Sequence, residues 1–449
     1  MEVTVLGAAG TVTGSKILVT TSTTRVLVDC GLFQGTKELR QRNWEPPPVD
    51  PRELDAVILT HAHLDHCGYL PVLVRHGFSG PVRCTSGTRG LARIILSDAA
   101  FLQEEDARRA NRHRYSRHDP ALPLYTADDV QRALPLFRTA DFDAPFRVGD
   151  LEVTLVPAGH ILGAASVRIE HEGRVAFFSG DLGRPDDLLM RPPRPFGGAD
   201  LLVVESTYGD RLHTDQDPHA ELAEVVRRVC GRGGVLMIPA FAVGRSQAIL
   251  HLLAELTARG DIPRVPTYLD SPMAIDATDL FCSHAGEHRL SDEQCAVMCH
   301  GAEFTRDVQD SKAIDQRGGP AIVIAGSGMA TGGRILHHLA RFGPDRRNGV
   351  LLVGFQAAGT RGAALREGAE ALRIHGRDVP IEAGRFTMDS LSGHADWREL
   401  VAWAGSAPPP DRVLIDHGEP GAALALQRHL REELGWTSSV AKEGQTVRV

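Results

Sequence analysis

Asp55-Ala-Val-Ile-Leu-Thr60, running directly into His61-Ala-His63-Leu-Asp65-His66, is the stretch that decides how this chain is built. Its first half is an apolar run with β-branched residues, which predicts a buried strand. Its second half carries four good metal ligands. In extended backbone the two-residue period points His61 and His63 the same way, which suits one ion. Asp65 and His66 follow at a loop turn and face elsewhere, which suits a second ion nearby. Residues 69–76 then show a helical apolar spacing, so the local plan is strand, metal loop, helix.

Working outward, residues 2–6, 16–20 and 25–29 read as short strands separated by Gly-rich turns, the pattern of an antiparallel or mixed sheet. Residues 89–115 read as a long polar helix ending in Arg108-Arg109-Ala-Asn-Arg112-His-Arg114, a solvated basic face. Strands return at 151–157, 166–171, 175–179 and 201–204, each ending near a polar residue able to project into a site. From about residue 208 helices (220–229, 246–259) alternate with apolar strands (235–238, 267–269, 321–325, 349–353), which predicts a doubly wound α/β domain. The expected division is a first domain over 1–207, an inserted domain over 208–386, and residues 387–449 completing the first domain.

A chain of 449 residues exceeds what one core usually supports and predicts about two or three domains. Its seven cysteines are an odd number without CxxC pairs, so reduced thiols are expected and Cys295, Cys299 and His300 lack a partner cluster for metal. No basic n-region or bilayer-length apolar run is present, and a cytoplasmic protein with no membrane partner is expected. The net charge of −8 gives no global attraction to a polyanion, so nucleic-acid binding would depend on a local patch and on metal ions.

Further motifs stand in order along the chain. HxHxDH at 61–66 resembles the signature of the metallo-β-lactamase superfamily. Asp29 after the strand at 25–28, His160 in Pro157-Ala-Gly-His160 and Asp181 in Phe178-Ser-Gly-Asp181 resemble its first, third and fourth motifs. Glu205 in Val204-Glu-Ser-Thr-Tyr208, His394 in Ser392-Gly-His-Ala-Asp396 and His417 in Asp416-His-Gly-Glu419 resemble motifs A, B and C of the β-CASP nucleases. The resemblance implies an αββα metallo-β-lactamase sandwich with an inserted doubly wound α/β β-CASP cap domain. It also implies two Zn²⁺, with Mn²⁺ or Fe as substitutes. His61, His63 and His160 would hold one ion, Asp65, His66 and His417 the other, and Asp181 would bridge them at about 3.5–4 Å. Asp29 would support the metal loop without binding metal. His394 would protonate the leaving oxygen, with Glu205 orienting it.

The activity this resemblance implies is that of a zinc-dependent ribonuclease, hydrolysing phosphodiesters through a metal-bridging hydroxide and leaving 5′-phosphate and 3′-hydroxyl ends, in RNA processing or decay. A histidine at motif C belongs with the RNA-processing branch, which names single-stranded RNA as partner; a homodimer is the other partner to test for. The chain lacks the N-terminal RNA-binding domains of archaeal relatives and ends soon after motif C, so processive 5′-exonuclease activity is not expected. The competing readings are a DNA nuclease or small-ester hydrolase on the same ions, and a silent RNA-binding paralogue. For phosphate binding the cap offers Gly326-Ser327-Gly328-Met-Ala-Thr331-Gly-Gly-Arg334 and Gly359-Thr360-Arg361, where a Gly-rich turn meets a helix start. Two further segments, Pro239-Ala-Phe-Ala-Val-Gly244-Arg245 and Asp270-Ser-Pro-Met273, also resemble β-CASP counterparts.

Overall fold

A computed structural model describes every residue except Tyr115, Phe355 and Ala358. The chain divides into two compact units, one of Met1–Leu212 with His394–Val449 and one of His213–Gly393. These boundaries lie a few residues beyond 207 and 386, where the change of sequence pattern put them.

In the first unit alternating strands build two mixed sheets of seven strands each. One runs from the edge strand Thr446–Arg448 through Glu2–Val5, Ile17–Thr20, Arg25–Val28, Ala56–Ile58 and Val82–Cys84 to Phe137–Thr139. The other runs from Ser439–Val440 through Arg412–Asp416, Leu201–Glu205, Arg174–Phe178, Ala165–His171 and Leu151–Pro157 to Phe146–Val148. Side chains alternate across each strand, and the inward set (Val3, Val5, Val26, Val28 and Ile58 against Val153, Leu155, Val167, Ile169 and Phe178) forms one core between the sheets. All of Ala56–Ile58 and Leu201–Glu205 is buried, so these central strands are covered on both faces, the αββα arrangement. The returning segment completes both sheets: Arg412–Asp416 pairs parallel with Leu201–Glu205, and Thr446–Arg448 antiparallel with Glu2–Val5.

The helix read as 89–115 begins at Ser86, capped by Thr85, and ends at His113; Tyr115 lies outside the described residues. Its basic end is exposed, with Arg108 paired to Glu105. No helix among the described residues is long and apolar enough to cross a membrane.

The second unit is a parallel six-stranded sheet in the order Glu303–Phe304, Thr267–Leu269, Ala321–Ala325, Val235–Pro239, Gly349–Val353, Gly384–Met388. Helix Pro218–Cys230 leads into the first of these strands along the chain, and Arg245–Arg259 and Ile335–Phe342 connect successive ones, which is the doubly wound plan. Asp292–His300 and Val308–Gln316 are helices that the apolar pattern does not announce: each buries only two side chains. All seven cysteines are free thiols, and Cys282 meets Cys299 at 3.7 Å. His300 joins no grouping of metal-ligand atoms among the described residues.

Candidate metal centre

Strand Ala56–Ile58 delivers Thr60 and His61 to the site, and His63, in extended conformation, is the N-cap of the short helix Leu64–Cys67 that carries Asp65 and His66. The switch from strand to helix inside HxHxDH is what splits the four ligands between two directions. Gly31 makes room for it: a Cβ there would stand 1.6 Å from the Asp65 carbonyl oxygen. His160 and Asp181 follow strands Leu151–Pro157 and Arg174–Phe178, each after a glycine of positive φ, Gly159 and Gly180.

Two donor sets result. His61 Nε2 and His160 Nε2 stand 3.1 and 3.2 Å from His63 Nδ1, and Asp181 Oδ2 lies 3.4 Å from His61 and 3.8 Å from His160. On the other side His66 Nε2 stands 3.1 Å from His417 Nε2, which is 3.7 Å from Asp65 Oδ2. Asp181 Oδ1 lies 3.3 Å from His66 Nε2 and 3.4 Å from His417 Nδ1. Each oxygen of Asp181 therefore faces a different set.

These residues fit a pair of cations. Ligands at about 2.0–2.1 Å from a tetrahedral centre stand about 3.3 Å from one another, close to the separations found. Asp181 Oδ1 is buried and, although His66 Nε2 and His417 Nδ1 lie 3.3 and 3.4 Å away, neither is aligned for a full hydrogen bond among the described residues, a cost normally avoided unless something unseen satisfies it. Burial, with like charge from His66, holds the His61 pKa well below the ordinary histidine range, and burial lowers His63 as well, which keeps both in the neutral, ligating form. Burial also works against charge on His417, but Asp181 and Asp65 outweigh it and raise the ring to about 9.

Asp29 supports this loop without entering a donor set. It sits at φ +59°, and its Oδ2 accepts from His66 Nδ1 at 2.7 Å while Oδ1 accepts from Thr60 N at 2.8 Å and Thr60 Oγ1 at 2.9 Å. The first contact turns His66 Nε2 toward the site, the usual work of a carboxylate behind a ligating histidine. Thr60 and Ser15, whose hydroxyl donates to Asp29 at 3.1 Å, escape a sequence reading; Thr60's adjacency to His61 is the available signal.

His394 Nδ1 lies 3.4 Å from Glu205 Oε1 and 3.9 Å from Asp181 Oδ2, and His394 belongs to no grouping of ligand atoms among the described residues. Glu205 is buried, and its Oε1 accepts from Leu182 N at 2.6 Å. Burial disfavours charge on His394, yet Glu205 and then Asp181 prevail and its pKa is raised. Glu205 also offers a carboxylate oxygen within 4.8 Å of ligand atoms of Asp181 and His417, a grouping that the motif did not suggest.

The phosphate grips read from the sequence lie in the other unit, where most of their polar groups are engaged within the protein. Arg334 Nη1 donates to Asp270 Oδ1 at 2.6 Å and Thr305 O at 3.1 Å, and Nη2 to Arg306 O at 2.6 Å. Arg361 donates to Arg373 O at 2.8 Å and Thr331 O at 3.1 Å. Ser327 Oγ accepts from Thr331 N at 2.9 Å, and Thr360 caps the helix Arg361–Arg366. Gly328 lies against the Phe241 ring. Both arginines, expected on RNA phosphates, thus donate within the unit, Arg361 to the Gly-rich turn at Thr331 and Arg334 to Asp270, Thr305 and Arg306.

Residues 24–239 match the Beta-lactamase superfamily domain, 246–365 the Beta-Casp domain, and 378–441 the Zn-dependent metallo-hydrolase RNA specificity domain. The chain is 40% identical to "Ribonuclease TTHA0252" of Thermus thermophilus over 458 positions, covering 100% of both. It is 31% identical to "Transcription termination factor FttA" of Methanosarcina mazei, covering 100% of this chain and 72% of that one. It is also 31% identical to the factor of that name from Methanocaldococcus jannaschii, covering 94% and 68%. A protein of unknown function from Enterococcus faecalis V583 shares the fold with a TM-score of 0.58 at 14% identity over 99% of each chain.

Proposed function

Since the chain belongs to the β-CASP branch of the metallo-β-lactamase family, metal-dependent hydrolases acting on RNA, we propose that it cleaves single-stranded RNA with two zinc ions, leaving 5′-phosphate and 3′-hydroxyl ends. One observation carries the dinuclear reading: the two oxygens of one buried carboxylate, Asp181, face two separate histidine sets, and one of them lacks an aligned hydrogen bond among the described residues. His61, His63 and His160 would hold one ion, and Asp65, His66 and His417 the other. When bound, such ions supply Lewis acidity that makes hydroxide available near neutral pH and offsets charge developing on the phosphoryl oxygens.

The remaining work falls to the chain's own side chains. Asp29 holds His66 in the tautomer whose Nε2 faces the site. His394 turns Nδ1 to Glu205, so Nε2 carries the proton delivered to the 3′ oxygen as the P–O3′ bond breaks. Glu205 favours that proton by opposite charge. The full donor set argues against a silent paralogue.

The test is incubation of the purified protein with end-labelled single-stranded RNA and DNA, with the product ends mapped and the metal measured in the same sample. RNA cut to 5′-phosphate ends, with about two zinc equivalents per chain, is the expected result. Products bearing 2′,3′-cyclic phosphate, or cleavage by metal-free protein, would refute it.

A further inference from the structure

Pro239-Ala-Phe-Ala-Val-Gly244-Arg245 has no part in the metal centre, yet it holds a large apolar side chain out to solvent: Phe241 is 41% exposed. It follows Val235–Pro239, an interior strand flanked by Ala321–Ala325 and Gly349–Val353. Phe241 therefore stands at the carboxyl edge of a parallel sheet, where such sheets bind ligands.

A single exposed apolar residue is ordinary on a protein surface. The way this one is held is not. Its carbonyl accepts from Ser246 N at 3.1 Å and Ser246 Oγ at 2.8 Å, which fixes the backbone at the start of helix Arg245–Arg259. Its ring lies against Gly328 so closely that a Cβ there would stand 2.7 Å from Phe241 Cδ2 and 2.9 Å from Cε2. Gly328 is in turn held by Gln356, whose buried Nε2 donates to the Gly328 carbonyl at 3.2 Å. A phenyl ring pinned by two Gly-containing turns, yet left partly in water, is organised in advance to receive a flat partner.

We infer that Phe241 is a stacking platform for one nucleobase of the RNA. This rests on the RNA-nuclease reading and adds to it a contact with a base, sequence-tolerant because every base presents a π-face. It also gives a net-acidic chain affinity for RNA that salt does not screen. Ser327 and Thr331, their hydroxyls 3.0 Å apart, are the nearby polar groups on the Gly328 turn.

The experiment compares the full zinc-loaded chain with Phe241→Ala, Phe241→Leu and Phe241→Trp, using a short single-stranded RNA and copies of it carrying one abasic nucleotide at successive positions. Apparent affinity comes from single-turnover cleavage against protein concentration. Losing one stacked base weakens binding about 5- to 150-fold. Phe241→Ala and Phe241→Leu should fall in that range, with the rate at saturating protein nearly unchanged, while Phe241→Trp binds as well as the parent or better. Leu still covers Gly328, so its loss reports the aromatic face and not the packing. One abasic position should weaken the parent but leave Phe241→Ala unaffected. Equal affinity of all four proteins would overturn the inference, as would equal abasic losses in parent and alanine variant. If the parent neither bound nor cut RNA, the underlying reading would fail with it.

Discussion

Arg334→Ala separates two roles for the same guanidinium, and its cost can be worked from the contacts. Asp270 is fully buried and has three partners: Arg334 Nη1 at 2.6 Å, His338 Nε2 at 2.8 Å and Ser311 Oγ at 2.6 Å. Removing one member of a buried ion pair costs about 3–5 kcal/mol. Here the loss is smaller, because the Arg334 side chain keeps 20% exposure and the other two partners still hold Asp270. About 2–3 kcal/mol is expected once the pair's partial hydration is allowed for. In a unit of this size about 2–4 °C of melting temperature accompanies each kcal/mol, so the melting temperature should fall by about 4–12 °C. Calorimetry and urea unfolding of the full zinc-loaded chain measure it, with RNA affinity taken well below the transition. Arg334→Lys should recover part of the loss, since it restores a charge beside Asp270 but not the bonds to both Thr305 and Arg306 carbonyls. RNA affinity of the folded variants should stay near that of the parent. Unchanged melting together with a tenfold weaker grip on RNA would refute this and return Arg334 to the phosphate.

Three further outcomes are expected. Asp181→Ala should lose both ions together, since each oxygen faces its own histidine set; full metal content by elemental analysis would remove Asp181 as the bridge. His394→Ala should keep both ions while single-turnover hydrolysis falls about 10²–10⁴-fold, less for a diester whose leaving group needs no proton; a lost ion, or equal defects on both substrates, would end the general-acid assignment. His338 is buried between Asp270 and Asp315, and although burial lowers its pKa these carboxylates win and raise it above 6.5. Its stabilising contribution is therefore full below pH 6.5 and lost as pH rises through the raised value. The melting gap between parent and His338→Gln should narrow toward alkaline pH, and a gap that widened there would show the ring to be neutral in the fold.

What the sequence made legible was what local chemistry encodes. HxHxDH announces itself because four side chains able to bind metal stand within six residues, and His160, Asp181 and His417 because each follows an apolar strand. Asp29 was legible by motif, though the hydrogen bonds through which it supports His66 and Thr60 needed the fold. Arg334 defeats a sequence reading for a physical reason. A Gly-rich turn beside an arginine is what an anion site requires, but the turn does not encode where the guanidinium's acceptors are. Here they are Asp270, Thr305 and Arg306, on other elements of the same unit. A donor supplied by local sequence is open to a substrate only if the fold leaves it without a closer acceptor, and that condition is set by contacts distant in the chain. Phe241 is the converse. Its segment was legible only as a resemblance, and that the ring stands exposed and is held by Gly328, far along the chain, needed the fold. Metal ligands, which the chain must bring together whatever else it does, are thus the part of such a site most readable from sequence. Substrate contacts, which depend on what the fold leaves exposed, are the least.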